Sequence, residues 1–238
     1  MTSLFGTRYA GFYYPKDLYG LDKTSIVYCV GAGEDISHDI AIAHKLGSTV
    51  HIFDPTPRSI THIQLVKDVM DGTQKAISNK RYGGGDPNYW SYIMEHRIES
   101  SSVKAYPWGI YTKTQPNLCF YTPTNTEYVS CSLVDGMKSK NYIEVEVKTL
   151  KDTMTELGHN QLDLLKLDIE GCECDVLDQM LADQIKPKYL SIDFDLGWTG
   201  EKIRDRPRCE VTIHKLREAG YRVIYQNGPE WSFQLKDI

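Results

Sequence analysis

The sequence predicts an α/β fold, a Rossmann-like, doubly wound, mainly parallel sheet that ends in a C-terminal antiparallel hairpin. An apolar run, a glycine loop, a helical segment and a second apolar run follow one another over residues 25–54, which is a βαβ unit. Two later apolar runs, LDLLKLD and KYLSIDFD, each precede a helical segment. The final β-rich runs, YRVIYQ and WSFQL, are separated only by NGPE, which is too short for a parallel crossover.

The first βαβ unit is the clearest local pattern. Residues 25–30, SIVYCV, are a short apolar run ending in glycines, typical of a strand buried on both faces. The helical segment DIAIAHKLG ends at Gly47, which suits a C-cap. TVHIFD is a second strand ending on Asp54, and Pro57 then begins a helix that we expect to reach about residue 78.

The middle of the chain predicts additions to this core. Residues 80–101 combine a glycine run with an aromatic, helix-like stretch, which indicates an insertion rather than a linker. SVKAYPWG is expected to form a third strand of the sheet. NLCFYT and YIEVEV alternate apolar and polar residues, so we expect them to pair as an appended hairpin.

The second half of the sequence predicts further helices and strands of the same sheet. A helix is expected near 149–158, followed by the strand LDLLKLD ending on Asp168 and the helix EGCECDVLDQMLADQI. KYLSIDFD is then a fifth strand. The last predicted helix, PRCEVTIHKLREAG, has Pro207 near its start and Gly220 at its end.

Composition limits the class of protein. The chain has 238 residues, 41% hydrophobic and 25% charged, which fits one globular domain over 1–238 with an aromatic segment at 1–24. The net charge of −5 argues against a nucleic-acid partner and favours a small-molecule or glycan partner. The six cysteines show no CxxC spacing, and no stretch of about 18 apolar residues occurs. We therefore expect a cytoplasmic protein without a membrane span, and the oligomeric state stays open.

The glycine loop carries acids where a dinucleotide site carries glycine. After Gly31, Ala32 and Gly33 the chain continues with Glu34 and Asp35. A helix N-terminus that binds pyrophosphate favours negative ligands, so these acids would repel one. They suit S-adenosylmethionine, which bears a sulfonium and an ammonium group. The alternative is that both acids only cap the next helix.

Asp54 supplies a second cofactor prediction. A carboxylate at the end of the second strand can accept hydrogen bonds from ribose hydroxyls in nicotinamide and S-adenosylmethionine sites alike. Asp54 can also act simply as a cap for the helix at Pro57. The terminal antiparallel strand separates the two cofactor classes, because nicotinamide-binding domains usually remain all parallel.

Four segments together resemble the FkbM-type methyltransferases, a family of S-adenosylmethionine-dependent O-methyltransferases: VGAGEDISHDIAIAHKLGSTVHIFDPTPRSI, AYPWGIY, YVSCSL and LDLLKLDIEGCECDVLDQML. The family's hallmark is a K-[IML]-D-[VI]-E-G-x-E segment, and the resemblance runs over about 9–233. The chain departs from the pattern in a longer glycine-rich insertion and in DFDLGW at 193–198. These departures bear on which acceptor is methylated and not on the cofactor. The resemblance and the loop predict these cofactor-binding residues: Gly31, Ala32, Gly33, Glu34, Asp35, Asp54, Trp108 and Gly109.

Acidic residues at two strand ends are the predicted catalytic groups. Asp168 ends the fourth strand and Asp193 lies near the end of the fifth, so both should face one crevice, with Glu170 beside them. A hydroxyl acceptor needs either a general base or a divalent cation that lowers its pKa. Asp168 and Asp193, with Glu170 or Asp195 as a further ligand or base, predict a Mg²⁺ or Mn²⁺ site as one of these two solutions.

The functional prediction is an O-methyltransferase acting on a hydroxyl of a sugar, glycan or related small metabolite. The alternative is a non-catalytic module of the same fold that binds S-adenosylmethionine or a partner. Ahead of the first strand lies an aromatic cluster that predicts either an acceptor lid or part of the core: Arg8, Tyr9, Phe12, Tyr13 and Tyr14.

Overall fold

A computed structural model describes residues 2–77, 82–122, 141–194 and 206–236. Within these ranges the chain forms twelve strands in three sheets and six helices. The strands are β1 Thr2–Phe5, β2 Phe12–Pro15, β3 Val27–Val30, β4 Val50–Phe53, β5 Val103–Tyr106, β6 Gly109–Ile110, β7 Gln115–Tyr121, β8 Tyr142–Lys148, β9 Leu164–Leu167, β10 Tyr189–Asp193, β11 Tyr221–Asn227 and β12 Glu230–Leu235. The helices are α1 Ser37–Leu46, α2 Pro57–Met70, α3 Tyr89–Glu95, α4 Leu150–Leu157, α5 Glu173–Ala182 and α6 Arg206–Glu218.

The central sheet has seven strands in the order β11-β12-β10-β9-β3-β4-β5. Strands β10, β9, β3, β4 and β5 run parallel, whereas β12 is antiparallel to both of its neighbours. The predicted fold class is confirmed, including the terminal antiparallel hairpin. The last strand, β12, lies between β10 and β11, so β11 is the edge strand.

The inner strands are buried on both faces because helices cover the sheet on each side. In β3, Val27 and Cys29 pack into one hydrophobic core, whereas Tyr28 and Val30 pack into the other. Side chains of a strand alternate between faces, so one apolar run serves two cores. This double burial fixes the carboxyl ends of β3, β4 and β9 in one row.

The helix ends follow local sequence signals, with one correction. Gly47 and Gly158 end α1 and α4 in the left-handed conformation, and the Thr149 side chain accepts a hydrogen bond from the Asp152 N–H at the start of α4. The prediction that the helix from Pro57 reaches about residue 78 was wrong. The helix α2 ends at Met70, and Gly72 follows with φ +73°, where a helix cannot continue.

Three additions surround the central sheet. The strands β7 and β8 pair antiparallel, as predicted for NLCFYT and YIEVEV, and β6 joins β8 to make a three-stranded sheet. The helix α3 lies in the predicted insertion. The strands β1 and β2, which the sequence did not predict, form a hairpin that packs against α1, β11 and β12. Among the described helices, none is both long enough and apolar enough to cross a membrane.

Candidate active site

A cleft opens at the carboxyl ends of β3, β4, β9 and β10. It brings together all the predicted site residues that are described except Trp108: Gly31, Ala32, Gly33, Glu34, Asp35, Asp54, Gly109, Asp168, Glu170 and Asp193. Asp195 lies outside the described residues. Six of the described lining residues are acidic, and none of the described lining residues is Lys or Arg.

The glycine loop and the loop after β9 meet backbone to backbone. Gly31 has φ +83°, and a Cβ atom there would lie 1.7 Å from the Asp168 carbonyl oxygen. Only glycine fits this position. The Gly31 carbonyl oxygen in turn accepts a hydrogen bond from the Lys166 ammonium group. These contacts fix the distance between the cofactor loop and the predicted catalytic loop.

The buried carboxylate of Asp54 organises the glycine loop. Its Oδ2 atom accepts the N–H groups of Ala32 at 2.9 Å and Gly33 at 3.1 Å. Its Oδ1 atom accepts the N–H of Thr56 at 2.8 Å and the Thr56 hydroxyl at 2.6 Å. Four donors occupy the lone-pair positions of this carboxylate, so a ribose hydroxyl would have to share or displace one of them. The ribose-binding role of Asp54 stays a prediction.

Glu34 and Asp35 have different partners. The Oε2 atom of Glu34 lies 2.7 Å from Nη2 of Arg58, which is about one third exposed. The carboxylate of Asp35 accepts the Ser37 N–H at 2.7 Å and the Thr7 hydroxyl at 2.7 Å. Asp35 therefore holds the Ser37 N–H in the first turn of α1 and ties the N-terminal hairpin to the glycine loop, although the N-cap position itself is Ile36, which makes no side-chain cap bond. Both acids border the cleft.

Lys166 is a buried cation beneath the cleft. Its Nζ atom lies 3.3 Å from Oδ2 of Asp168. Burial alone would lower the Lys166 pKa, but the neighbouring Asp168, Asp39 and Cys29 raise it above its usual value. Lys166 therefore remains charged and orients Asp168 towards the cleft.

Asp193 is the most perturbed carboxyl group of the cleft. Burial, followed by the charges of Asp168, Glu230 and Glu170, raises the pKa of Asp193 to about 8. Its Oδ1 atom is buried and makes no hydrogen bond. Strongly shifted carboxyl groups in clefts are typical of functional sites.

Glu230 is a member of this acidic group that sequence reasoning missed. It lies on β12, directly opposite Asp193 in the antiparallel register. Burial and the charge of Asp168 raise the pKa of Glu230. The register between β10 and β12 is the signal that locates Glu230, because it pairs residue 193 with residue 230.

Glu173, the last acid of the hallmark segment, shapes the loop before α5. It is fully buried, and its Oε1 atom accepts the N–H groups of Gly171 at 2.9 Å and Ile169 at 3.2 Å. Burial raises the pKa of Glu173 to about 8, against the opposing effect of these hydrogen bonds. Within this loop Glu170 has φ +57°, an uncommon left-handed conformation for a residue with a side chain.

Trp108 lies behind the cleft wall rather than in its lining. Its ring centroid lies 4.9 Å from that of Tyr106 and 6.0 Å from that of Phe53, a lining residue. The Lys148 ammonium group lies 3.9 Å from the Trp108 ring centroid, in cation–π contact. A direct contact of Trp108 with adenine stays a prediction.

The N-terminal aromatic cluster divides between core and cleft. Phe12 and Tyr14 are buried in the core, and the Tyr13 ring stacks on Tyr225 at 4.0 Å. Tyr9 is 61% exposed and lines the cleft. Burial and the charges of Asp168, Glu170, Asp35 and Glu34 raise its pKa, so its phenol faces the acidic group.

Comparison with known families identifies the chain. The methyltransferase FkbM domain model matches residues 26–223. The chain belongs to the FkbM methyltransferase family. This confirms the resemblance stated from the sequence and assigns the FkbM chain to a class of S-adenosylmethionine-dependent methyltransferases.

Solved structures similar to this FkbM chain include other methyltransferase domains. One METTL16 MTase domain has 15% identity and a TM-score of 0.42, covering 92% of this chain and 63% of that chain. The N-terminal domain of human METTL16 in complex with SAH has 14% identity and a TM-score of 0.39, with coverage of 90% and 62%. The human methyltransferase 10 domain containing protein has 11% identity and a TM-score of 0.38, with coverage of 90% and 73%. The FkbM chain thus spans less than two thirds of these two METTL16 chains. A search of curated proteins found no match.

Proposed function

We propose that the protein is an S-adenosylmethionine-dependent O-methyltransferase that acts on a hydroxyl of a sugar, glycan or related small metabolite. The observation that carries this proposal is the cleft, whose described lining has six acidic residues and no basic one. Such a lining favours a cationic methyl donor and a neutral acceptor, and it disfavours phosphate groups. Family membership supports methyl transfer as the reaction.

The residues of the cleft fit the methyl donor. S-adenosylmethionine supplies a methyl group bound to a sulfonium, which a nucleophile displaces in line. The loop 31–33 offers close backbone approach, because Asp54 holds its N–H groups and Gly31 carries no side chain. Asp168 and Glu170 border the same cleft and would stabilise the adjacent positive charge.

The acceptor hydroxyl is activated in this proposal by Asp193. A base is most effective when its pKa lies near the working pH, and the Asp193 pKa of about 8 meets that condition. Deprotonated Asp193 accepts the hydroxyl proton as the oxygen attacks the methyl carbon. Asp168, held by Lys166 at 3.3 Å, stays in place beside it.

Divalent-metal assistance is the second way to activate the acceptor hydroxyl. Carboxylate oxygens of Asp168 and Asp193 are suitable ligands for Mg²⁺ or Mn²⁺, and the unpartnered Oδ1 of Asp193 fits that use. The Lys166 ammonium group beside Asp168 acts against it, because it already neutralises one carboxylate. Activity that is unchanged after EDTA treatment and dialysis, and after re-addition of Mg²⁺ or Mn²⁺, would exclude the metal version.

Cofactor choice is tested by calorimetric titration with S-adenosylmethionine and with NAD. We expect binding of S-adenosylmethionine and none of NAD. Asp168→Asn should weaken binding of S-adenosylmethionine more than that of S-adenosylhomocysteine, because only the former carries the sulfonium charge. Binding of NAD alone would make the protein an oxidoreductase and refute the proposal.

Catalysis is tested by incubating the protein with S-adenosylmethionine and a panel of deoxysugar glycosides, with mass spectrometry as the readout. A gain of one methyl group supports the proposal, and Asp193→Asn should abolish it while S-adenosylmethionine still binds. Binding of the cofactor without methylation of any acceptor would favour the non-catalytic module instead.

A cytoplasmic location is also proposed, supported by the absence of disulfides among the described cysteines.

A further inference from the structure

Beneath the glycine loop, three buried side chains of different chemistry meet. Cys29 lies on β3, and His38 and Asp39 lie in the first turn of α1. A thiol sulfur, an imidazole nitrogen and a carboxylate oxygen from these residues all lie within 4.8 Å of one another. All three side chains have no exposed surface. The group is separate from the carboxylates of the cleft.

Several polar atoms of this group make no hydrogen bond. Nδ1 of His38 and both carboxylate oxygens of Asp39 are buried and unpartnered. The other ring nitrogen, Nε2, is held at 3.0 Å from the Tyr14 hydroxyl, which fixes the ring and leaves Nδ1 directed at the group. Each buried polar atom without a partner costs about 1–3 kcal/mol. Such atoms commonly mark the place of an ordered water or ion.

The electrostatic surroundings are consistent with a bound cation. Cys29 lies directly opposite Lys166 in the register of β3 and β9. The Lys166 charge is already offset by Asp168 at 3.3 Å. A Cys29 thiolate and an Asp39 carboxylate also neighbour Lys166, but its single charge cannot balance these two anions and Asp168 together, and a divalent cation would supply the remaining two positive charges.

We propose that Cys29, His38 and Asp39 bind a Zn²⁺ ion that links β3 to α1 beneath the cofactor loop. Thiolate, imidazole and carboxylate are the three ligand types that Zn²⁺ takes in proteins. Bonds of about 2.0–2.3 Å place tetrahedral ligands roughly 3.5 Å apart, so atoms that lie within 4.8 Å of one another must approach by about 1.3 Å at most. All three side chains are buried and none lines the cleft, so we assign the ion a structural role, with a water as the fourth ligand.

The test uses the whole protein, stripped of metal with a chelator and titrated with Co²⁺ and Zn²⁺. We expect one metal ion per chain, a near-ultraviolet thiolate-to-cobalt band with tetrahedral visible bands, and displacement of Co²⁺ by Zn²⁺. Zn²⁺ should also raise the melting temperature of the stripped protein. Absence of stoichiometric metal and of the thiolate band would overturn the proposal and leave a buried water as the occupant.

Matched variants locate the ion. Cys29→Ala and Asp39→Asn should lose or weaken the band, whereas Cys209→Ala, at another buried cysteine in α6, should keep it. Asp168→Asn should keep it too, since that residue belongs to the cleft. A band lost in Cys209→Ala, or a metal lost in Asp168→Asn, would place the ion elsewhere and overturn the proposal. The wild-type titration decides the matter even if Cys29→Ala fails to fold.

Calorimetry with S-adenosylmethionine on the same samples keeps this proposal separate from the proposed function. Cofactor binding without zinc binding would overturn the zinc site alone. Zinc binding without cofactor binding would refute the proposed function alone.

Discussion

At the residue scale, three acids in and beside the cleft hold backbone N–H groups. Asp54 anchors the glycine loop, Asp35 holds the first turn of α1, and Glu173 holds the loop before α5. These hydrogen bonds fix the loops before any ligand binds. Asp168 and Asp193 are the acids to which we assign the proposed chemistry.

Glu173→Gln should change how stability depends on pH. Burial raises the folded-state pKa of Glu173 to about 8 from the 4.5 of an exposed glutamate, so the folded protein binds the proton more tightly than the unfolded chain. The stability that this proton contributes is complete below pH 4.5 and is lost as pH rises towards 8, by about 1.4 kcal/mol per unit. Glutamine keeps an oxygen for Gly171 and Ile169 but does not titrate.

Denaturant unfolding between pH 5 and 9 measures this difference. The wild-type free energy of unfolding should fall relative to that of Glu173→Gln over the window from about pH 4.5 to about pH 8. Parallel curves for the two proteins would show that Glu173 does not titrate in this range.

The proposed base should give methyl transfer an acidic limb. Below the Asp193 pKa of about 8 the carboxyl group is protonated and cannot accept the hydroxyl proton. With EDTA present, kcat should fall about tenfold per pH unit below that value. Asp193→Asn should lower kcat by about 10²–10⁴-fold and remove the limb. A profile that stays flat from pH 6 to 9 in the wild type would refute the role of Asp193 as base.

At the element scale, the β1–β2 hairpin is fastened to the cofactor loop through its turn. The Thr7 N–H donates to the Ser37 hydroxyl at 2.8 Å, the Thr7 hydroxyl donates to Asp35 at 2.7 Å, and the Gly6 N–H donates to the Tyr92 hydroxyl at 2.7 Å. These bonds hold Tyr9 at the mouth of the cleft. Under the proposed function, the hairpin would thus couple acceptor access to the loop that we propose holds the cofactor.

Thr7→Val should test this coupling. Valine keeps the shape but leaves an Asp35 oxygen buried without its donor, which should cost about 1–3 kcal/mol of stability. The KM for the acceptor should rise more than that for S-adenosylmethionine, because Tyr9 lies on the same turn. Thr24→Val is the matched control, since it removes a similar bond to Asp22 at an exposed position. Equal effects of the two substitutions would argue against the coupling.

The elements also show which features the sequence could predict. Inner strands such as β3, and β9 apart from Lys166, are apolar runs followed directly by Gly31 and Asp168, so the sequence alone indicated their burial and their position at the cleft. The N-terminal hairpin was not predicted, because its strands have four residues each and mixed burial. Glu230 and the orientation of Trp108 depend on register and packing between distant segments, which no local pattern contains.

At the scale of the whole molecule, the net charge of −5 and the acidic cleft both disfavour the binding of anionic ligands. Polyanions need several cationic contacts to release their counterions, and the described cleft lining provides none. The molecule should therefore select uncharged or cationic acceptors at the stage of encounter, before any specific contact forms.

Fluorescence anisotropy with a labelled single-stranded RNA of about 20 nucleotides tests this selection. We expect no binding at protein concentrations up to tens of micromolar in about 50 mM salt, where phosphate contacts are strongest. Binding whose affinity falls steeply with added salt would contradict the prediction and make a nucleic-acid acceptor the better interpretation.

The position of β12 inside the sheet affects how the protein is synthesised. The strand β10 pairs with β12, whose residues 230–235 are translated about 40 residues later than Tyr189–Asp193. A ribosome releases the chain in order, so β10 keeps one unpaired edge until residue 235 has left the exit tunnel. Exposed apolar strand edges are prone to aggregation. The nascent chain should thus need chaperone protection longest at the β10 edge of the sheet, which carries Asp193.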